Sequence, residues 1–420
     1  MQYKDMSADM RGALLTQLQG DYANFQARGL KLDMSRGKPC REQLELSMGL
    51  LDASLIARDV TSGGLDTRNY GGPDGLPEAR TLFAELLGVD AKNVLVFGNS
   101  SLNIMYDLIA QYWTHGVGGS AKPWSQQRAV KFLCPVPGYD RHFAILEHFG
   151  IQMLPVPMTE EGPDMRVLGE LAADPTVKGM FCVPKYANPT GITFSDDTVR
   201  ALAALSPAAT DFRVIWDNAY CVHDVRAGGE ELLEIFAEAR KYGHEDHFLE
   251  VTSTSKITFP GAGVSVLVAS ESNLAAIKTR LSVQTIGHDK LNQLRHVRYF
   301  GSAAGVYAHM EKHRALLEPK FDAVLAALER NLGALGIAQW TRPRGGYFIS
   351  LDVPQGCAKR VGELCAEAGV VLTPSGATWP LGIDPLDRNI RIAPTLPPIT
   401  ELETAAELLC LAVKIAALEN

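Results

Sequence analysis

The sequence is short of the features that would assign a class on their own. No apolar run approaches the ~18 residues needed to span a bilayer, and the opening MQYKDMSADM has no signal-peptide core. Basic runs and stripes are missing. With 40 Lys+Arg against 48 Asp+Glu the formal charge is −8, which argues against a dedicated binder of nucleic-acid backbones. Cysteine is sparse and scattered (Cys40, Cys134, Cys182, Cys221, Cys357, Cys365, Cys410) and never forms a C-x-x-C pair. That excludes a disulfide framework or a structural zinc site and suits reduced thiols in a cytoplasmic protein. Cys182 and Cys221 read as small buried hydrophobes. There is no repeat, no low-complexity stretch, no phosphate-binding G-x-x-x-x-G-K-[ST] loop and no G-x-S-x-G elbow.

What is present is a globular composition: 420 residues, 46% hydrophobic and 21% charged, enough for two domains. Residues 1–29 read as an amphipathic helix ending at Gly29, and 43–57 as a second helical stretch. Short apolar runs then alternate with helical patterns: 93–97, 129–134, 151–156, 179–183, 213–217, 247–253 and 264–270. Such runs predict an α/β fold with a mainly parallel sheet covered on both faces, a three-layer domain over 51–300. After residue 300 come a long helix near 303–334, the turn RPRGGYFISLDV, a strand at 389–393 and a last helix, which Thr400 and Glu403 would cap. Residues 1–50 with 301–420 are expected to form a smaller α+β domain.

Open parallel sheets place ligands at the carboxyl ends of their strands, and four segments there carry chemistry. In VTSTSKITFPGAG, Lys256 follows a run of hydroxyl residues; it could form an imine with a carbonyl cofactor while Ser253 and Ser255 donate to a phosphate. Alone, it reads as a solvated loop lysine. In RVIWDNAYCVHD, Asp217 ends an apolar run, where a buried carboxylate needs a partner such as a protonated pyridine nitrogen; the other reading is a helix cap. Tyr220, three residues later, could donate to a phenolate oxygen. Asn188 lies in an N-P-T-G turn. Gly98-Asn99-Ser100-Ser101 breaks a strand before a helix, and hydroxyls and N–H groups at a helix N-terminus hold anions.

With these segments in this order, the chain resembles the fold-type I, pyridoxal phosphate-dependent aminotransferases. The resemblance implies pyridoxal phosphate on Lys256, Asp217 at the pyridine nitrogen, and Asn188 and Tyr220 at the phenolate oxygen. It places Tyr139 of PGY over the ring and Ser100, Ser101, Ser253 and Ser255 at the phosphate. It gives Tyr70 of NYGGPDG to a neighbouring subunit's cofactor, hence a homodimer with shared active sites. It assigns Arg391 of NIRIA to the substrate α-carboxylate, with Asn188 and Gly37 beside the substrate. SRGKP, GNSSLN, TSTSKITFPGAG and TIGHDKLNQLRH look like a bacterial subgroup of aspartate aminotransferases related to the aminotransferase half of MocR-type regulators. One position departs from the family. Its usual phosphate-pairing arginine, eight residues after the lysine, is Val264 here; Ser265 follows and is expected to help if the register shifts by one.

The subgroup points to aspartate or glutamate with 2-oxoglutarate or oxaloacetate. Arg36, Lys38, Lys290 and Arg295 are candidates for the distal carboxylate. Two other classes stay open: a lyase on the same scaffold, and a MocR-like regulator domain without its DNA-binding part. No metal is expected. His309 and His313 stand four apart, but HMEKH is not H-E-x-x-H, and the pair reads as part of a solvated face.

Overall fold

The computed structural model describes residues 2–57, 59–118 and 122–420. Its centre is an eight-stranded sheet. The spatial order is Val94–Val96, Ser265–Ala269, Phe248–Ser253, Arg213–Asp217, Val177–Cys182, Lys131–Val136, Gln152–Thr159 and Gly162–Pro163. Pairing is parallel from Phe248–Ser253 through Gln152–Thr159, while Ser265–Ala269 and Gly162–Pro163 run antiparallel to their neighbours. The expected strands are all present, with ends displaced by no more than three residues.

Continuous apolar runs form the central strands because both faces are covered. Successive residues alternate between two cores: Val214 and Trp216 join one, Ile215 the other; Val94 and Val96 join the first, Leu95 the second. The helix Ser101–His115 buries Ile104, Met105, Leu108, Ile109 and Tyr112 along one stripe against this sheet. Ser195 and Ser270 cap two further helices by accepting backbone N–H bonds from Thr198 and Asn273.

A third core joins both ends of the chain. Helix Ala8–Ala27 packs on the last helix, Ile399–Glu419, which also packs on the 30-residue helix Ala303–Leu332. Strand Leu32–Asp33 pairs in parallel with Val370–Val371, and a three-stranded antiparallel sheet holds Gln339–Trp340, Ile349–Asp352 and Asn389–Ile392. Val183, Tyr186, Ala187, Tyr220 and Val225, from loops at the carboxyl edge of the large sheet, join this core too.

Three local expectations are corrected. The first helix starts at Ala8, where Ser7 caps it by accepting the Met10 N–H. The stretch 43–57 is broken into Arg41–Glu45, a 3-10 turn at Met48–Leu51, and Ser54–Ala57, because Asp52 starts a new turn by accepting the Ser54 N–H. Thr400 does not cap the last helix. Pro398 occupies the cap position, and the Thr400 carbonyl instead accepts from Thr404.

Candidate active site

Asp217 closes the strand Arg213–Asp217 and is 2% exposed. Its Oδ2 lies 3.0 Å from His142 Nε2, while Oδ1 is buried with no hydrogen-bond partner. An unsatisfied buried carboxylate oxygen carries a desolvation cost, so this one is suited to a donor delivered by a ligand. His142 belongs to the helix Asp140–His148 and stacks on Phe181 at 4.6 Å, which fixes its ring. Sequence reasoning missed it. The usable signal was its place three residues after Tyr139, on the same side of the helix start.

Lys256 ends the 3-10 turn Thr254–Lys256 that follows the strand Phe248–Ser253. Its Nζ stands 4.9 Å from the Tyr220 ring centre and 5.8 Å from that of Tyr347. Burial lowers its pKa, with the Asp217 charge opposing the shift, so the neutral amine is made more accessible. Burial pushes the Tyr220 hydroxyl in the other direction and keeps it protonated, a donor.

A hydrogen-bond chain that the sequence did not reveal supports the lysine from behind. Tyr347, stacked on Tyr220, donates to the Lys256 carbonyl at 3.4 Å and accepts from Gln43 Nε2 at 3.1 Å. Gln43 also meets His313 Nδ1 at 3.0 Å, His313 meets His309 at 3.1 Å, and His309 meets the Ile257 carbonyl at 3.0 Å. The two histidines are therefore buried members of a polar chain and not a solvated face. Burial lowers both pKa values, His313 to about 3. Among the described residues no cluster suits a metal ion.

The turn Gly98–Ser101 meets the lysine loop directly. Ser255 Oγ donates to the Asn99 carbonyl at 3.0 Å and accepts from Ser253 Oγ at 3.0 Å. Ser100 is the N-cap of the helix Ser101–His115, and its side chain makes no capping bond. Ser100, Ser101, Ser253 and Ser255 thus gather where the helix presents free N–H groups. Val264 is buried in the sheet core, and Ser265 Oγ is committed to the Gly98 carbonyl at 2.8 Å. The suggested help from Ser265 is not supported: its hydroxyl holds the turn together.

Arg391, in the strand Asn389–Ile392, lies 4.8 Å over the Phe348 ring. Its Nη1 donates to Asp140 at 2.9 Å and to Asn188 Oδ1 at 3.3 Å, and its Nε donates to Thr373 at 3.3 Å. Asn188 and Arg391 are therefore adjacent. Gly37 faces the same ring: a β-carbon there would sit 2.6 Å from Phe348 Cε1. Tyr139, partly buried, meets His142 edge-on at 5.0 Å, which places it beside Asp217.

The remaining candidates lie further out. Tyr70 is 74% exposed, Arg36 pairs loosely with Asp33 and Lys38 is exposed. Lys290 is buried, donating to the His288 carbonyl, and Arg295 donates to Asn292. Cys182 is buried as expected; Cys221 is partly buried, 3.6 Å from the Thr252 hydroxyl.

Residues 6–420 match the family model described as aspartate amino-transferase. The chain belongs to that family. A putative aminotransferase of Mycolicibacterium smegmatis is 50% identical over 406 residues, covering 96% of this chain and 94% of that protein. An aspartate aminotransferase of Corynebacterium glutamicum is 46% identical over 417 residues, covering 99% and 96%. The crystal structure of an aspartate transaminase from Corynebacterium glutamicum superposes with a TM-score of 0.98 at 46% identity, covering 100% of this chain and 99% of that one.

Proposed function

We propose that this aminotransferase uses pyridoxal phosphate to move an amino group between aspartate or glutamate and 2-oxoglutarate or oxaloacetate. The observation that carries the reading is the orphaned Asp217 Oδ1, at the same sheet edge as a lysine whose pKa is lowered. That oxygen fits the N–H of a pyridinium ring, and His142 holds the opposite oxygen in place.

When bound, pyridoxal phosphate supplies an electron sink for the pair left when the substrate Cα loses its proton. Asp217 keeps the ring nitrogen protonated. Lys256 Nζ takes the Cα proton as general base and returns a proton as general acid, a role its lowered pKa favours. Tyr220 and Asn188 donate to the phenolate oxygen, and Tyr139 covers the ring. Ser100, Ser101, Ser253, Ser255 and the helix N-terminus hold the phosphate, in place of the arginine replaced by Val264. The Arg391 guanidinium takes the α-carboxylate beside Gly37.

The same reading makes the protein a cytoplasmic homodimer in which exposed Tyr70 reaches the partner's cofactor. It divides the chain into a large unit, 51–300, and a small unit, 1–50 with 301–420. One or more of Arg36, Lys38, Lys290 and Arg295 serves the distal carboxylate.

The test is a panel of amino acids with 2-oxoglutarate, on wild type and Lys256→Ala. Aspartate and glutamate should give the highest kcat/KM, with oxoacid formation dependent on added 2-oxoglutarate. Lys256→Ala should lose both turnover and the cofactor's visible absorbance band. Near-native turnover in that variant, or better kcat/KM for phenylalanine or leucine, refutes the reading.

A further inference from the structure

The guanidinium assigned above to the substrate α-carboxylate is already engaged by a carboxylate of this chain. Asp140 Oδ1 accepts from Arg391 Nη1 at 2.9 Å, and Asn188 Oδ1 accepts from the same nitrogen at 3.3 Å. Nε is committed to Thr373 at 3.3 Å, and Nη2 makes no hydrogen bond to a described residue. A guanidinium binds a carboxylate through two neighbouring nitrogens, either Nε with Nη2 or Nη1 with Nη2. Each of those edges therefore has one position taken, and an incoming carboxylate must displace a protein group.

Asp140 is the group best able to leave. Asn188 and Thr373 are buried, at 5% and 9% exposure. The Asp140 side chain is 33% exposed, stands at the first residue of the helix Asp140–His148, and has Arg141 Nε 4.0 Å from its other oxygen. Turned outward, it keeps a favourable place at a helix N-terminus next to a second arginine. Arg391 itself is 9% exposed, and a cation so enclosed is costly without a counter-charge.

We propose that Asp140 is a displaceable internal occupant of the Arg391 site, so that substrate binding exchanges one carboxylate for another. The inference rests on the reading of Arg391 given above. Asp140 neutralises Arg391 between turnovers and sets a specificity threshold. A ligand carboxylate that makes two hydrogen bonds can replace it, whereas a spherical monoanion such as chloride makes no such pair and is turned away.

The experiment is calorimetric titration of the cofactor-loaded enzyme with the unreactive dicarboxylate maleate, and separately with chloride as a competitor. Wild type, Asp140→Asn and Arg391→Lys are compared. Asp140→Asn should bind maleate at least about fivefold more tightly, because a charged competitor is removed, and chloride should now weaken that binding. Asp140→Ser, which keeps a polar group in the first helical turn, should move in the same direction if the asparagine variant is unstable. Unchanged or weaker maleate binding in both Asp140 variants, with binding lost in Arg391→Lys, overturns the exchange while leaving the role of Arg391 intact. Undiminished maleate binding in Arg391→Lys removes the reading of Arg391 and the exchange with it.

Discussion

Replacing Gly37 with alanine adds one methyl group where the N-terminal loop crosses the Phe348 ring. The new carbon would stand 2.6 Å from Phe348 Cε1 and closer still to Cζ, far inside ordinary van der Waals contact. The loop has little freedom to retreat. The Ser35 carbonyl accepts from Thr373 at 3.1 Å, and the Lys38 carbonyl accepts from Thr395 at 3.0 Å. The ring must therefore move, and Arg391 lies 4.8 Å above it. Movement of the loop instead would disturb Thr373, which also holds Arg391 Nε. Both routes end at the same guanidinium. Overpacking of this kind costs about 1–3 kcal/mol, and if it is expressed in the bound state, KM for the amino acid rises about five- to a hundredfold. Steady-state kinetics with aspartate and 2-oxoglutarate, beside a thermal melt, measures both effects. A KM within about twofold of wild type at unchanged stability, below the effect of ~1 kcal/mol, would refute the argument.

Two further outcomes follow, one from a buried carboxylate and one from the proposed shared site. Burial raises the Glu250 pKa from 4.5 to about 8, with Asn218 donating to it at 2.8 Å and opposing the shift. The folded form thus holds this proton more tightly than the unfolded chain. Its contribution is complete below the unfolded value and is lost as pH rises through about 8. Unfolding free energy should fall by at most roughly 5 kcal/mol between about pH 5 and pH 9, and Glu250→Gln should flatten that fall; an unaltered slope in the variant disproves the assignment. Sedimentation at micromolar protein should give a dimer, and Tyr70→Phe should lose cofactor faster on dialysis. An active monomer would dismiss the shared site.

The large sheet was legible because burial on both faces leaves an uninterrupted apolar signature. Arg213–Asp217 begins and ends where the composition says it should. Asp217, Lys256 and the Gly98–Ser101 turn could be read together because each terminates a run. Asp140, Gln43, Tyr347 and the two histidines of the long helix could not. Their roles come from contacts between distant segments, as with Gln43 and His313, and no local pattern records such a meeting. Spacing alone made His309 and His313 look like a solvated face, because four-residue spacing shows that two side chains share a side but not what covers that side. The false cap at Thr400 has a similar cause. Ser or Thr followed three residues later by Glu is a valid signal, but here Pro398 had already set where the helix begins.

The pairing of Leu32–Asp33 with Val370–Val371, and of the first helix with the last, has a consequence for how the chain is made. Strands of the large sheet lie between Val94 and Ala269, so a nascent polypeptide can assemble them while synthesis is still under way. Residues 8–34 are made before those strands yet find their partners only at 370–371 and 399–419, with Leu18, Tyr22 and Met34 lacking their cover in the meantime. Their vulnerable interval covers the making of every strand of the large sheet. Chaperone dependence should therefore be concentrated in residues 8–34, and loss of the helix Ile399–Glu419 would leave them unsheltered.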